Sequence, residues 1–230
     1  MLLDTDQRHK VWTAAQLAER FGAMPLWRIV HDPLPGLATE QDVVRLEEHE
    51  NRLCELVDGV LVEKTMGWYE SWMAMRLGRL LSDFVDPRQL GLILGTDGLI
   101  RLMPNLVRIP DVSFVSYERL RGRDFDALLE DALMDSAPDL AAEILSRSNT
   151  RKEMQRKLEE YFDCGVRLVW FVDPKKQHVR VYTSLSECTT LRKSDVLDGG
   201  KVLPGIRLKL TELFINPLAP PDPEHTTDSP

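Results

Sequence analysis

The chain has 230 residues, 43% of them hydrophobic and 29% charged, the size and composition of one large domain able to bury a core. Its 29 basic residues against 37 acidic ones leave a formal charge of −8, which argues against a protein that coats nucleic acid or membrane by bulk attraction but leaves room for a local basic strip. The opening MLLDTDQRHKVW carries charges where a signal peptide needs its apolar stretch, and no run approaches about eighteen uninterrupted apolar residues. Three cysteines, Cys54, Cys164 and Cys188, show no CxxC spacing and read as free thiols of a reducing compartment. The expectation is a soluble cytoplasmic protein with no membrane contact.

In chain order, Thr13 and Gln16 form a capping box that opens a short helix over 14–21, closed by Gly22. A proline-bearing loop over 23–38 follows, and Thr39 caps a charge-rich helix running to His49. Residues 53–57 and 60–63 flank Asp58-Gly59, which predicts a hairpin with a tight two-residue turn. Tyr69, Met73, Leu77, Leu80, Leu81 and Phe84 share one stripe of a helix over 68–86, ended by Pro87. Trp68 and Trp72 lie off that stripe and point either to a subunit contact, hence a homo-oligomer, or to packing by the N-terminal segment.

Strands are predicted at 91–94, 99–102 and 109–116, with a turn at Pro104-Asn105. Residues 117–135 read as a loop with a short helix. A buried strand over 137–145, a helix over 151–163 capped by Asn149 or Thr150, and a strand over 166–172 form a crossover unit. Strands near 179–182, 188–192 and 201–208 complete a mixed sheet. The closing PLAPPDPEHTTDSP holds five prolines and little to bury, so it is expected to be disordered. The economical fold class is an α/β sandwich.

Two carboxylates stand where the pattern wants apolar side chains. Asp111 falls within the predicted strand 109–116, and Glu143 shares a strand face with Ala141 and Leu145. A buried carboxylate costs several kcal/mol unless it is paired or bound to a cation. Two side by side suit a hard divalent ion, Mg²⁺ or Mn²⁺. Lys157 lies beside the apolar stripe of its helix, next to Met154 and Tyr161, from where its ammonium can reach Glu143. The plainer alternatives are a strand cap or an Arg108 pair for Asp111, a structural ion pair for Glu143, a solvated flank for Lys157, and a helix-dipole role for Glu70. Five basic residues, Arg147, Arg151, Lys152, Arg156 and Lys157, face one acid, Glu153, just after Glu143, where a phosphate backbone would approach.

Pro110-Asp111, Glu143-Ile144-Leu145 and a following lysine-bearing helix resemble the PD-(D/E)XK restriction-endonuclease-like superfamily. Glu55-Leu-Val-Asp-Gly59, Ile109-Pro-Asp-Val-Ser-Phe-Val115, Arg151-Lys-Glu-Met-Gln-Arg-Lys-Leu-Glu-Glu-Tyr161 and Trp170-Phe-Val-Asp-Pro174 are similar to the Uma-type restriction endonuclease family, over about residues 50–210. The resemblance implies a restriction-endonuclease-like core with a mixed central sheet flanked by helices (51–215), an N-terminal helical extension (1–50) and a Pro-rich tail (216–230). It implies a magnesium- or manganese-dependent endonuclease acting on DNA, with Asp111, Glu143 and the Ile144 carbonyl as metal ligands. The superfamily's lysine usually stands two residues after the glutamate; here that residue is Leu145, and Lys157 on the next helix takes the role. An acidic residue on the first core helix, Glu70, is the fourth candidate. The alternative function is a catalytically inactive nuclease-fold scaffold in regulation or assembly.

Overall fold

The computed structural model describes residues 10–219. Residues 1–9 and 220–230, which include most of the tail expected to be disordered, lie outside the described residues. Thr13 caps α1 (Ala14–Phe21) through the predicted capping box with Gln16, and Gly22 ends it at φ 70°. Thr39 and Asp42 form a second box on α2 (Glu40–Glu50). Next come β1 (Cys54–Val57) and β2 (Val60–Glu63), whose turn residues Asp58 and Gly59 both take positive φ, 52° and 71°, as the sequence required.

After α3 (Trp68–Val85) the chain forms β3 (Gly91–Leu94), β4 (Ile100–Met103), β5 (Leu106–Arg108), β6 (Val112–Ser116) and the short α4 (Phe125–Glu130). The crossover β7 (Leu140–Ile144), α5 (Arg151–Asp163), β8 (Leu168–Asp173) is followed by β9 (His178–Tyr182) and β10 (Cys188–Arg192). A hairpin, β11 (Val196–Gly199) and β12 (Leu203–Lys209), leads into α6 (Leu210–Leu213). A six-stranded sheet has the order β10-β9-β8-β7-β6-β3, and a four-stranded sheet the order β2-β1-β5-β4. Within the larger sheet only β7 and β8 run parallel, the pair joined by α5.

One face of the large sheet packs Val112, Phe114, Ala142, Trp170 and Val179 against α3, α6 and the β11–β12 hairpin. The other face, with Ala141, Val169 and Phe171, meets α5, α1 and the inner side of the small sheet in a second cluster. α2 covers the small sheet's outer side through Val43 and Leu46. Among the described residues no helix is long and apolar enough to cross a membrane, and all three cysteines are free thiols.

The single strand expected over 109–116 is two segments belonging to different sheets. Leu106–Arg108 pairs with β1 and β4, whereas Val112 onward pairs with β7 and β3. The break falls at Ile109-Pro110-Asp111. Proline has no N–H to give a ladder, so pairing stops there and the chain passes from one sheet to the other. The Asp111 amide reopens pairing by donating to the Ala142 carbonyl at 3.0 Å. Asp111 therefore stands at the crossing between the sheets.

At the opposite end of β7, buried Asp139 gathers three strands. Its carboxylate accepts from the Ser116 amide (2.8 Å), Arg119 Nε (2.6 Å) and Arg167 Nη2 (2.8 Å). Burial by itself would raise its pKa, but the Arg119 and Ser116 hydrogen bonds outweigh burial and hold it below the ordinary range. A depressed carboxylate contributes stability that is full above the unfolded value, about 3.9, and is lost as pH falls through the folded one. Asp139→Asn is expected to lower unfolding free energy by about 2 kcal/mol at neutral pH, with a smaller difference from wild type in the acid limb. Urea titrations across pH check both; a constant gap at every pH would contradict the assignment.

Candidate active site

Glu143 lies on the face of β7 that meets α5, and Lys157 and Tyr161, four residues apart, share the helix stripe opposite it. Lys157 Nζ stands 3.0 and 3.1 Å from the two Glu143 oxygens, and the Tyr161 hydroxyl donates to Oε1. The same ammonium lies 2.9 Å from Glu55 Oε1 on β1. Glu55 also receives Arg108 Nη1 at 2.7 Å and the Ile109 amide at 3.2 Å, and Arg108 is shared with Glu160. One buried lysine thus joins a carboxylate of each sheet.

Asp111 is held differently. Its Oδ2 accepts the Ile144 amide at 2.6 Å, and its Oδ1 lies 2.8 Å from Lys64 Nζ. Lys64, just past β2, also donates to the Ile109 carbonyl at 2.7 Å. The partner is therefore Lys64, not the neighbouring Arg108, which faces Glu55. Beside these, Arg28 forms a two-pronged pair with Glu153, at 2.9 and 3.2 Å. Glu70 occupies the third position of α3, in the first turn, where a negative charge also suits the helix dipole.

Glu55, Glu70, Asp111, Glu143, Glu153, Arg28, Lys64 and Lys157, together with Ile144 and a few uncharged residues, line a cavity of about 20 Å³. The space suffices for about one water-sized particle. Its lining carries five carboxylates against three cations. The imbalance appears in the proton affinities. Burial, reinforced by Asp111 and Glu55, raises the pKa of Glu143 despite Lys157. Burial would raise Glu55 as well, but Lys157 and Arg108 hold it far below the usual range. Burial opposes charge on Lys157, yet Glu143 and Glu55 keep it firmly protonated. Tyr161 is pushed well above its ordinary value by burial and by the same two carboxylates, so it remains a donor.

The structure brings Asp111, Glu143, Lys157, Glu70 and Ile144 to one cavity. Ile144 touches Asp111 through its N–H. Sequence reasoning passed over Glu55, Lys64, Arg28 and Glu153. Glu55 was detectable by the rule that found Glu143, an acid inside an apolar strand; Lys64 has no such mark. The basic strip expected after Glu143 is largely engaged: Arg156 pairs with Asp58 and Glu160, Lys152 with the Glu19 carbonyl, and Lys157 is buried. Arg147 and Arg151 remain exposed. Trp68 is 77% exposed, so nothing among the described residues covers it.

The family model Uma2, described as "Putative restriction endonuclease", matches residues 40–211. The chain belongs to the Uma2 family. A solved structure similar to this Uma2 chain is that of a "putative nuclease" of DUF820 from Anabaena variabilis, with a TM-score of 0.65 and 19% identity over 76% of this chain and 97% of that one. That likeness shows a shared fold. No curated protein matches.

Removing Lys157 leaves two buried carboxylates without their shared counter-ion. Lys157→Met is expected to cost about 3–5 kcal/mol, and Lys157→Met/Glu143→Gln about 1 kcal/mol or more less than the sum of the single changes. A double-mutant cycle by chemical denaturation measures this. Strict additivity would mean that the ammonium does not carry this contact.

Proposed function

We propose that this Uma2 protein is a divalent-metal-dependent nuclease that hydrolyses phosphodiester bonds of DNA. The observation that carries the reading is the convergence of Asp111 and Glu143, one from the sheet crossing and one from β7, on a single small cavity whose lining has two more negative than positive side chains. Among the described residues no three acidic, histidine or cysteine side chains are gathered tightly enough to ligate an ion by themselves. Mg²⁺ does not require that: it keeps several waters and commonly takes one or two carboxylates. The charge deficit and the oxygen donors fit such an ion. Asp111 and Glu143 would hold it, with Glu70 and the Ile144 carbonyl as further oxygen donors.

When bound, the ion supplies a water acidic enough to act as nucleophile near neutral pH and offsets charge developing on the phosphate. The chain's own residues do the rest. The Ile144 amide fixes the Asp111 carboxylate, Tyr161 fixes that of Glu143, and Lys157 is fixed between Glu143 and Glu55. An ammonium so restrained needs little reorganisation to stabilise negative charge at the cavity mouth. The raised proton affinity of Glu143 makes its ligand form scarcer as pH falls, so metal binding weakens with acidification.

Purified protein with Mg²⁺ or Mn²⁺ is expected to cut DNA, and Asp111→Asn or Glu143→Gln to reduce cutting at least about a hundredfold. Undiminished cutting by either variant would overturn the assignment. The competing reading, a nuclease fold kept as a scaffold, draws on the lysines that already pair with both carboxylates. Calorimetric titration with Mn²⁺ decides between them: heat that Glu143→Gln abolishes supports the nuclease, and its absence in wild type supports the scaffold.

A further inference from the structure

The candidate site opens at one end of the large sheet, where β7 and β8 finish, β6 and β9 begin, and β10 finishes. Following the register across that face, Glu143 pairs with Phe171, Phe171 with Arg180, and Arg180 with Thr190. Arg180 lies over the Phe171 ring at 5.5 Å. Two pairs nearer the sheet's end, on the same face, Asp173 stands beside His178 and His178 beside Arg192. This end of β9 and β10 holds an open groove of about 690 Å³ lined by Lys176, His178, Thr190, Arg192, Lys193 and Ser194 among others, with no carboxylate in its lining. Lys176 and Arg192 are exposed and Lys193 half-buried.

Two acids lie near the groove. Asp173 is 3.7 Å from Lys176 Nζ while accepting its backbone amide, and Asp195 accepts the Arg192 backbone amide. Neither cancels the group. In a chain of net charge −8, three cations and a histidine on one concave edge form a local reversal of sign. Three strand spacings separate β7 from β10, about 14 Å, or about four nucleotides at the rise of one strand. Of the basic residues expected to meet phosphate after Glu143, Arg156 and Lys157 are spent on ion pairs and Lys152 on the Glu19 carbonyl, while Arg147 and Arg151 stay exposed; the groove adds a second cationic surface along the same edge.

We propose that the groove at the ends of β9 and β10 holds the sugar-phosphate backbone of DNA a few nucleotides from the bond at the Asp111–Glu143 cavity, with Lys176, Arg192 and Lys193 as its phosphate contacts. The inference deepens the nuclease reading and rests on it for the identity of the polyanion. Thr190 and Ser194 add hydroxyl donors suited to phosphate oxygens, and none of these groups distinguishes one base from another. The contact therefore sets register and affinity and leaves sequence preference untouched.

The test is fluorescence anisotropy of a labelled DNA duplex with the full chain, in EDTA and again with Ca²⁺, across a salt series. Lys176→Ala/Arg192→Ala/Lys193→Ala is expected to bind about tenfold or more weakly, with a salt slope shallower by about 2–3. The charge-matched control Arg88→Ala/Arg121→Ala/Lys201→Ala, whose cations are exposed and lie away from this edge, is expected to behave as wild type. Equal loss in both triple variants, no loss in the groove variant, or no binding by wild type would overturn the proposal. Cutting of the same duplex with Mg²⁺ or Mn²⁺ separates the two claims. Normal cutting with binding that ignores the groove removes this inference alone; groove-dependent binding without cutting removes the nuclease reading and keeps the groove.

Discussion

Lys157 reaches from α5 to one carboxylate on each sheet, Glu55 on the smaller and Glu143 on the larger, and all three groups are buried. The cost of stripping water from these charges is several kcal/mol per ion, and only close mutual pairing offsets it. The packing of α5 between the sheets and the electrostatics of the cavity are thus one constraint. A hydrophobic residue in place of the lysine fits the volume but leaves the carboxylates unanswered. Two apolar clusters supply the bulk of the burial around this point, while the ammonium fixes how the sheets approach each other there.

The crossing at Ile109-Pro110-Asp111 has a similar double character. Proline ends one ladder, and the next begins at the amide of the residue whose carboxylate enters the cavity. Because the Asp111 side chain binds the β7 backbone through Ile144, the carboxylate is oriented by the strand that also carries Glu143. Their separation is set by the antiparallel register of β6 on β7, which the Asp111 amide extends by one bond to the Ala142 carbonyl.

Much of this was legible in the sequence for identifiable reasons. The capping box at Thr13, the Asp58-Gly59 turn and the α5 crossover rest on local chemistry that survives any tertiary setting, whereas the cap of α5, open between Asn149 and Thr150 in the sequence, is Thr150. Glu143 announced itself because an ionised side chain contradicts an apolar strand. β5 did not, since three residues behind the Pro104-Asn105 turn are too few to show alternation, and β11 was too short and polar to separate from its turn. With β5 unseen, the passage between sheets was invisible, and so were the pairings that depend on it, Lys64 with Asp111 and Arg108 with Glu55. The basic strip after Glu143 was read correctly as composition, but its partners Asp58, Glu160 and the Glu19 carbonyl come from distant or helical positions that composition cannot rank.

From the rim of α1 inward, charges alternate without a gap: Arg20, Asp58, Arg156, Glu160, Arg108, Glu55, Lys157 and Glu143 each touch the next. Every interior member is claimed from both sides, so none can swing away without stranding two neighbours. Such a row acts as a strut, transmitting the position of the outermost hairpin turn to the deepest acid. A change of one charge at the molecular periphery, far from any reacting atom, would therefore be felt as a retuning at the centre.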